Sequence, residues 1–141
     1  MTVSTAFLLL HSLAIAGRPD ASGATEAVDT LLAYIEAGDA RDIGAVQRLT
    51  HDAFRVVAQM PGAEGPTVMP RKTYLDLLEG GKIGGTPRET QVTVVLHDDA
   101  FATIKGTLDS DAAHFDSTWT LVRAEGRWLV VQDSTVFSPN P

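Results

Sequence analysis

The chain has 141 residues, 44% of them hydrophobic, and its 11 basic residues against 18 acidic ones give a formal net charge of -7. A chain of this length folds as one domain around a single core. An acidic balance without any basic cluster argues against nucleic acid and anionic membrane surfaces as partners. Because there is no cysteine, disulfides, thiolate metal sites and a cysteine nucleophile are excluded.

The first 22 residues differ in composition from the rest of the chain. Residues 6–16 form an apolar run of signal-peptide length that ends in Ala14-Ile15-Ala16, a pattern similar to a cleavage site. No Lys or Arg precedes the run, and it is too short to span a bilayer. Two interpretations stay open: residues 1–16 are a signal peptide of an exported (periplasmic or secreted) protein, or residues 1–22 are an additional N-terminal segment of a cytoplasmic protein. Residues 23–141 are expected to form one domain.

Three helices are predicted in the N-terminal half. Apolar residues at i, i+3, i+4 and i+7 from Val28 onward predict a helix over residues 25–37, which Gly38 ends. Asp39 opens a second short helix. Pro70 suits the first position of a third helix that runs to about Glu79.

The remaining elements are predicted to be strands. Period-two patterning and turn residues predict strands over 53–60, 91–97 and 100–108, and a closing hairpin over 113–137 that contains both tryptophans. A glycine-rich connector, residues 82–88, leads into these strands. Helices followed by a run of antiparallel strands indicate an α+β fold, with three helices packed on one face of a curved, mainly antiparallel sheet.

The register of the closing hairpin assigns its side chains to two faces. Residues 124–126 suit a three-residue loop in which Gly126 takes a left-handed conformation and forms a bulge. That loop sets Thr120 opposite Val130 and Thr118 opposite Gln132, and paired residues share a face. One face is then apolar and contains Phe115, Trp119, Leu121, Leu129 and Val131. The other face mixes polar and apolar side chains, as a small-molecule site does.

Several short motifs in this order resemble one known family. They are Ala37-Gly38-Asp39 after the first helix, Asp52-Ala53 before a strand, Pro70-Arg71 at a helix start, residues 82–88, and Gly126-Arg127-Trp128 in the hairpin. Over residues 25–137 the chain resembles the nuclear transport factor 2-like superfamily, with its SnoaL-like and ketosteroid isomerase groups, and within it the putative lumazine-binding branch. The resemblance implies a cone-shaped cavity between helices and a bent sheet, and dimerisation through the outer face of the sheet. The branch name implies no established activity.

The resemblance also allows a test for steroid-isomerase chemistry. The family's catalytic tyrosine position falls on Leu31, with Tyr34 one turn away, its base position on Val57, and its second acid position on Thr118. None of these residues carries the chemistry required, so this reaction is not expected. The same comparison places Thr118 on the cavity side, and the pocket is predicted to be lined by Tyr34, Val57, Tyr74, His114, Asp116, Thr118, Thr120, Trp128 and Gln132.

The apolar face is predicted to be a homodimer interface. Its members are Phe115, Trp119, Leu121, Leu129 and Val131, and an apolar surface of this size is not left exposed to water. His114 and Asp116 share the pocket face and form either an acid–base pair or a solvated pair at the rim of the sheet. The four histidines lack ligand spacing, so no metal site is predicted, and no cofactor is expected.

Three functions are compatible with these features. The first is a binding protein whose internal pocket holds a small, partly apolar molecule. The second is a cofactor-free isomerase, cyclase or hydrolase-like enzyme that uses His114 and Asp116 as acid and base. The third is a structural dimerisation module.

Overall fold

The computed structural model describes residues 21–141. The apolar run and the signal-peptide interpretation lie outside the described residues. Three helices and six strands follow in the order α1 (Ala21–Asp39), α2 (Ile43–Leu49), β1 (Thr50–Gln59), β2 (Thr67–Pro70), α3 (Arg71–Glu79), β3 (Glu89–His97), β4 (Phe101–Asp109), β5 (Ala113–Ala124) and β6 (Arg127–Pro139). The predicted α+β class is confirmed. The short edge strand β2 was not predicted, because its four residues give too little alternation to be recognised.

The strands form one open sheet in the order β2-β1-β6-β5-β4-β3. β1 and β6 pair in parallel, and all other neighbours are antiparallel. The sheet is therefore mixed and mostly antiparallel, and the three helices pack on one of its faces. This face is called the inner face here, and the opposite one the outer face. Among residues 21–141, no helix is long and apolar enough to cross a membrane.

The core lies between the helices and the inner face. Leu31 and Tyr34 on α1 belong to the same buried cluster as Ile104 on β4 and Leu121 on β5. Trp119 lies at its centre and, like Leu121, is 0% exposed. Burial of a large aromatic side chain and its aliphatic neighbours is the main driving force that holds helices on a sheet.

The turn between β5 and β6 differs from the predicted loop. Glu125 and Gly126 are the only two loop residues, their φ angles are 52° and 80°, and Ala124 pairs directly with Arg127. Two positive φ angles characterise the type I′ turn, whose twist matches that of a hairpin. The predicted three-residue loop is wrong, and with it the predicted register, because the sequence Ala-Glu-Gly is compatible with either turn.

The bulge lies in β6 rather than at Gly126. Leu121 pairs with Val130, but the next residue of β5, Thr120, pairs with Gln132. Val131 is thus the extra residue of the bulge. Beyond it, Trp119 pairs with Asp133 and Ser117 with Thr135, two pairs that the predicted register did not contain.

The two faces of the hairpin are exchanged relative to the prediction. Trp119 and Leu121 are buried under the helices, and Phe115 packs against the same core, so these residues cannot form a dimer surface. Alternation then puts His114, Asp116, Thr118 and Thr120 on the outer face. The physical reason is that the helices cover whichever face buries more apolar area.

The other members of the predicted sets divide between the core and the outer face. Gln132 pairs with Thr120, Leu129 pairs with Val122, and Val57 pairs with Ser134, which places all three on the outer face. Trp128 is a core residue, and its ring lies 5.9 Å from that of His97.

Candidate functional site

A cavity of about 350 Å³ lies between the helices and the inner face of the sheet. α1 and α3 form one side of it, and residues 82–88, between α3 and β3, form part of its wall. Its lining is mostly apolar, and small-molecule sites in proteins combine such a lining with a few polar groups. The lining residues that the site depends on are Tyr34, Asp39, Val56, Ala58, Met69, Tyr74, Ile83, Arg88, Phe115, Ser117, Asp133, Thr135 and Phe137.

Aromatic rings form the cavity wall beside the helices. The ring of Phe54 lies 5.7 Å from that of Tyr34 and 5.5 Å from that of Tyr74. Tyr34 comes from α1, Phe54 from β1 and Tyr74 from α3. Edge and tilted contacts of this kind stabilise a cluster beyond the area that it buries, so both tyrosine hydroxyls have fixed positions.

Asp133 is the polar centre of the cavity. The Tyr34 hydroxyl donates a hydrogen bond to Asp133 Oδ2 at 2.7 Å, and the Tyr34 and Tyr74 hydroxyls lie 3.5 Å apart. A phenol has one proton to donate. Because Tyr34 uses its proton in the shorter bond, Tyr74 acts as the donor in the longer contact. The three side chains form a chain of hydrogen bonds that ends at the carboxyl group.

Burial raises the pKa of Asp133, while the hydrogen bond from Tyr34, the indole N–H of Trp119 and the charge of Arg88 act in the opposite direction. The Trp119 Nε1 atom is itself buried and has no hydrogen-bond partner among the described residues. Burial together with the negative charge of Asp133 holds the pKa of Tyr34 well above its usual range. Burial raises the pKa of Tyr74 to about 12. Loss of water disfavours the charged form of each of these acids.

A second pair of charged residues lies in another part of the wall. The Nε and Nη2 atoms of Arg88 both lie 2.7 Å from Asp39 Oδ1, and the backbone N–H of Arg88 donates to Asp39 Oδ2 at 3.1 Å. The guanidinium carbon lies 5.0 Å from the centre of the Phe115 ring. Burial raises the pKa of Asp39, and Arg88 opposes this shift. The two oxygens of Asp39 and the ring of Phe115 therefore hold Arg88 in place.

The connector of residues 82–88 is held against the end of α1. Arg41 donates hydrogen bonds to the carbonyl groups of Gly81, Ile83 and Gly84. Gly84 has a φ of 75°, and a Cβ atom there would lie 2.5 Å from the carbonyl oxygen of Gly38. Glycine is required at this position because any side chain would collide with the helix end. The connector is therefore a fixed part of the cavity wall.

The sequence matches a protein-family model. A family model described as "Putative lumazine-binding" matches residues 22–137. The chain belongs to this family. The resemblance predicted from its motifs is thereby confirmed, and a search of curated proteins gives no significant match.

Several solved structures share the fold of this chain. A nuclear transport factor 2-like protein of unknown function from Silicibacter pomeroyi is 18% identical, with a TM-score of 0.69 over 87% of this chain and 100% of that one. A similar protein from Shewanella baltica is 17% identical, with a TM-score of 0.67 over 89% and 99%. A ketosteroid isomerase-like protein from Erwinia carotovora atroseptica is 18% identical, with a TM-score of 0.59 over 82% and 95%. At these identities the similarity concerns the fold alone.

Of the residues predicted to line the pocket, this member of the lumazine-binding family places Tyr34 and Tyr74 in the cavity wall. Seven others lie elsewhere. Trp128 is in the core, and the outer face holds Val57, His114, Asp116, Thr118, Thr120 and Gln132. The prediction is wrong for the six outer-face residues because the helices cover the opposite face of the sheet, and for Trp128 because its side chain is enclosed in the core rather than in the cavity wall.

The predicted acid–base pair exists, but outside the cavity. His114 Nε2 lies 3.2 Å from Asp116 Oδ2, and His114 Nδ1 contacts Asp109. The hydrogen bond to Asp109 raises the pKa of His114, with a smaller contribution from Asp116. Arg55 Nε donates a hydrogen bond to Gln132 Oε1 at 2.8 Å on the outer face. Within the described residues, no group of three His, Asp or Glu side chains is arranged to hold a metal ion.

The sequence reasoning missed the cavity residues Asp133, Asp39 and Arg88. An acidic residue in the middle of the largely apolar strand β6 was the available signal for Asp133. It was not recognised because the predicted register did not pair it with Trp119. Asp39 and Arg88 are 49 positions apart, and nothing local to either residue indicates that they meet.

The raised pKa of Asp133 predicts a pH-dependent cost in stability. Above the pKa of an unfolded Asp, residue 133 loses its carboxyl proton in the unfolded chain but keeps it in the folded chain. The free energy of unfolding of the wild type therefore decreases with rising pH until the pKa of the folded state is passed. Asp133→Asn removes this cost and keeps an acceptor for Tyr34. The melting temperature of Asp133→Asn minus that of the wild type should therefore increase with pH and then become constant. A difference that does not change with pH contradicts this account, and Asp99→Asn, in an exposed turn, serves as the control.

The pair of Asp39 and Arg88 predicts a large effect of removing one partner. The two side chains are only 11% and 20% exposed, so Arg88→Met leaves a buried carboxylate without its cation and should cost about 2–3 kcal/mol in the free energy of unfolding. The matched control is Lys72→Met, which removes the exposed pair with Asp76 and should leave stability unchanged. Denaturant unfolding measures both, and equal effects of the two substitutions would exclude a stabilising role for Arg88.

Proposed function

We propose that the protein binds a small, partly apolar molecule in its cavity and acts as a binding protein. The observation that supports this function is an internal space of about 350 Å³ with apolar walls and one polar cluster, Tyr34, Tyr74 and Asp133. Proteins that bind small molecules have sites of this composition and of about 300 Å³ or more. A fold that served only for dimerisation would gain stability by filling this space with side chains.

The alternative enzyme that uses His114 and Asp116 finds no support in this geometry. Both residues lie on the outer face of the sheet, and the sheet itself separates them from the cavity. A general acid or base has to lie within hydrogen-bond distance of the group that it protonates or deprotonates. A ligand in the cavity is therefore out of reach of this pair.

The family name makes lumazine a suitable first probe. Lumazine is a flat pteridine whose ring carries carbonyl and N–H groups along its edge. In the cavity, its ring would pack against apolar side chains such as Val56 and Met69, and an N–H group would face Asp133. The match concerns size and chemistry alone, and other ligands with an apolar body and a polar edge fit equally well.

A substitution that fills the cavity tests the binding site. Ala58 lines the cavity from β1, so Ala58→Trp should occupy the space of the ligand and weaken lumazine binding by at least about tenfold, a loss of roughly 1.4 kcal/mol. Thr118→Trp adds the same ring to the outer face and should leave binding unchanged. Isothermal titration calorimetry measures both variants after their melting temperatures show that they are folded.

Two results would contradict the proposed binding site or the proposed function. Equal affinity in Ala58→Trp and the wild type would place the ligand elsewhere. Native mass spectrometry of the protein purified from its own cell extract extends the test to ligands other than lumazine. If no small molecule is retained and no probe binds, the proposed function is overturned.

We also propose that the protein forms a homodimer through the outer face of the sheet. Val68 on β2 and Val136 on β6 are 60% and 48% exposed, and Val57 on β1 pairs with Val68 on the same face. The surrounding outer face is polar and rich in hydroxyl groups. An exposed apolar patch with a polar rim is typical of a protein–protein interface. Leu129, another residue of this face, is only 8% exposed and lies beneath this surface.

Charge introduced into this patch tests the dimer. Val136→Asp should convert a dimer into a monomer, because two carboxylates would be buried against each other at a symmetric interface. Val95→Asp is the matched control, since Val95 is 53% exposed on β3 at the far edge of the sheet. Size-exclusion chromatography with light scattering measures the mass of each protein. A monomeric wild type at micromolar concentration contradicts the proposal.

A further inference from the structure

The acidic groups of the cavity outnumber its basic ones. Asp39, Asp133 and Arg88 are the charged residues that line it. Arg88 is already paired with Asp39 at 2.7 Å, and among residues 21–141 no cation lies within ion-pair distance of Asp133. A carboxylate removed from water requires a compensating charge or a proton. The cavity therefore contains one acid whose partner is missing.

The hydrogen bond that Asp133 receives favours its ionised form. The Tyr34 hydroxyl donates to Oδ2 at 2.7 Å, and Asp133 pairs across the sheet with Trp119, whose buried indole N–H has no hydrogen-bond partner among the described residues. An ionised carboxylate offers about four acceptor sites, so Asp133 keeps acceptor capacity after its bond with Tyr34. A ligand group that donates hydrogen bonds and carries a positive charge is complementary to it.

Aromatic rings line the cavity. Tyr34, Tyr74 and Phe137 belong to its wall, as does Phe115, whose ring centre already lies 5.0 Å from the guanidinium carbon of Arg88. The rings of Phe115 and Phe137 lie 5.2 Å apart in an edge arrangement. The faces of aromatic rings attract organic cations, and the attraction increases when the cation is out of water. Apolar side chains such as Val56 and Met69 complete the enclosure for the rest of a ligand.

We propose that the ligand of this cavity carries a protonated nitrogen on an apolar or aromatic body, and that its ammonium group pairs with Asp133. This inference rests on the proposed function, since it names the chemical class that the cavity takes. When the ammonium binds, the carboxyl proton passes to solvent and the ligand keeps its own. Arg88 stays paired with Asp39, so it does not repel the ligand as a free guanidinium would.

Phenethylamine and 2-phenylethanol test this inference, because they share the aromatic body and differ in an ammonium against a hydroxyl group. In the wild type, phenethylamine should bind at least about tenfold more tightly than the alcohol. In Asp133→Asn its affinity should fall to that of the alcohol, while the alcohol itself binds as before. Asp99→Asn, in the exposed turn between β3 and β4, should leave both affinities unchanged.

The pH profile gives a readout that does not depend on a variant. The affinity for phenethylamine should increase with pH as Asp133 loses its proton and then become constant, because the ammonium pairs with the ionised carboxylate. The other titratable groups that line the cavity are Tyr34, Tyr74 and Asp39, and Asp39 is held in an ion pair with Arg88. Affinity for the alcohol should not follow this profile, because it carries no charge.

The outcomes separate this inference from the proposed function. If lumazine or 2-phenylethanol binds and phenethylamine binds no more tightly, the inference is overturned and the binding function stands. If none of the three binds and no small molecule is retained from the cell extract, both are overturned. Equal affinities for phenethylamine in the wild type and in folded Asp133→Asn also overturn the inference, because they show that the carboxylate is not its partner.

Discussion

The pairing of β5 with β6 is the constraint on which the rest of the structure depends. The turn at Glu125 and Gly126 fixes Leu121 opposite Val130, and the bulge at Val131 then shifts the register by one residue. Without that extra residue, Asp133 would pair with Thr118 and would point away from the helices. A single inserted residue moves every following side chain to the other face. The bulge thus places Asp133 beside Trp119 in the cavity.

The two acids of the cavity, Asp39 and Asp133, differ in how their negative charge is compensated. Asp39 is balanced by Arg88, which binds both of its oxygens and is itself held by Phe115. Asp133 accepts a hydrogen bond from Tyr34, but no residue among 21–141 forms an ion pair with it, and burial raises its pKa. Asp39 therefore has the surroundings of a structural ion pair. Asp133 is the group that we propose to meet a ligand, since perturbed acids with incomplete partners are typical of functional sites. The connector held by Arg41 closes the wall beside them.

The same fold in distant relatives does not determine this chemistry. Structures 17–18% identical share the arrangement of helices and sheet, because that arrangement depends on apolar patterning, which many sequences satisfy. The cavity depends instead on a few side chains at fixed positions, and each comes from a different element. Tyr34 is on α1, Tyr74 on α3 and Asp133 on β6. The fold therefore provides the cavity, and these residues provide its polar groups.

The sequence by itself determined the helices, most of the strands, their order and the family, because helical spacing from Val28, the proline at residue 70 and the alternation in β5 are local signals. The sequence also identified Tyr34 and Tyr74 as residues of the pocket. It did not determine which face of the hairpin the helices cover, since alternation defines two faces and only packing decides which is buried. Nor did it reveal the bulge at Val131 or the meeting of Asp39 with Arg88. Those depend on contacts between residues far apart in the chain, and only the tertiary structure decided them.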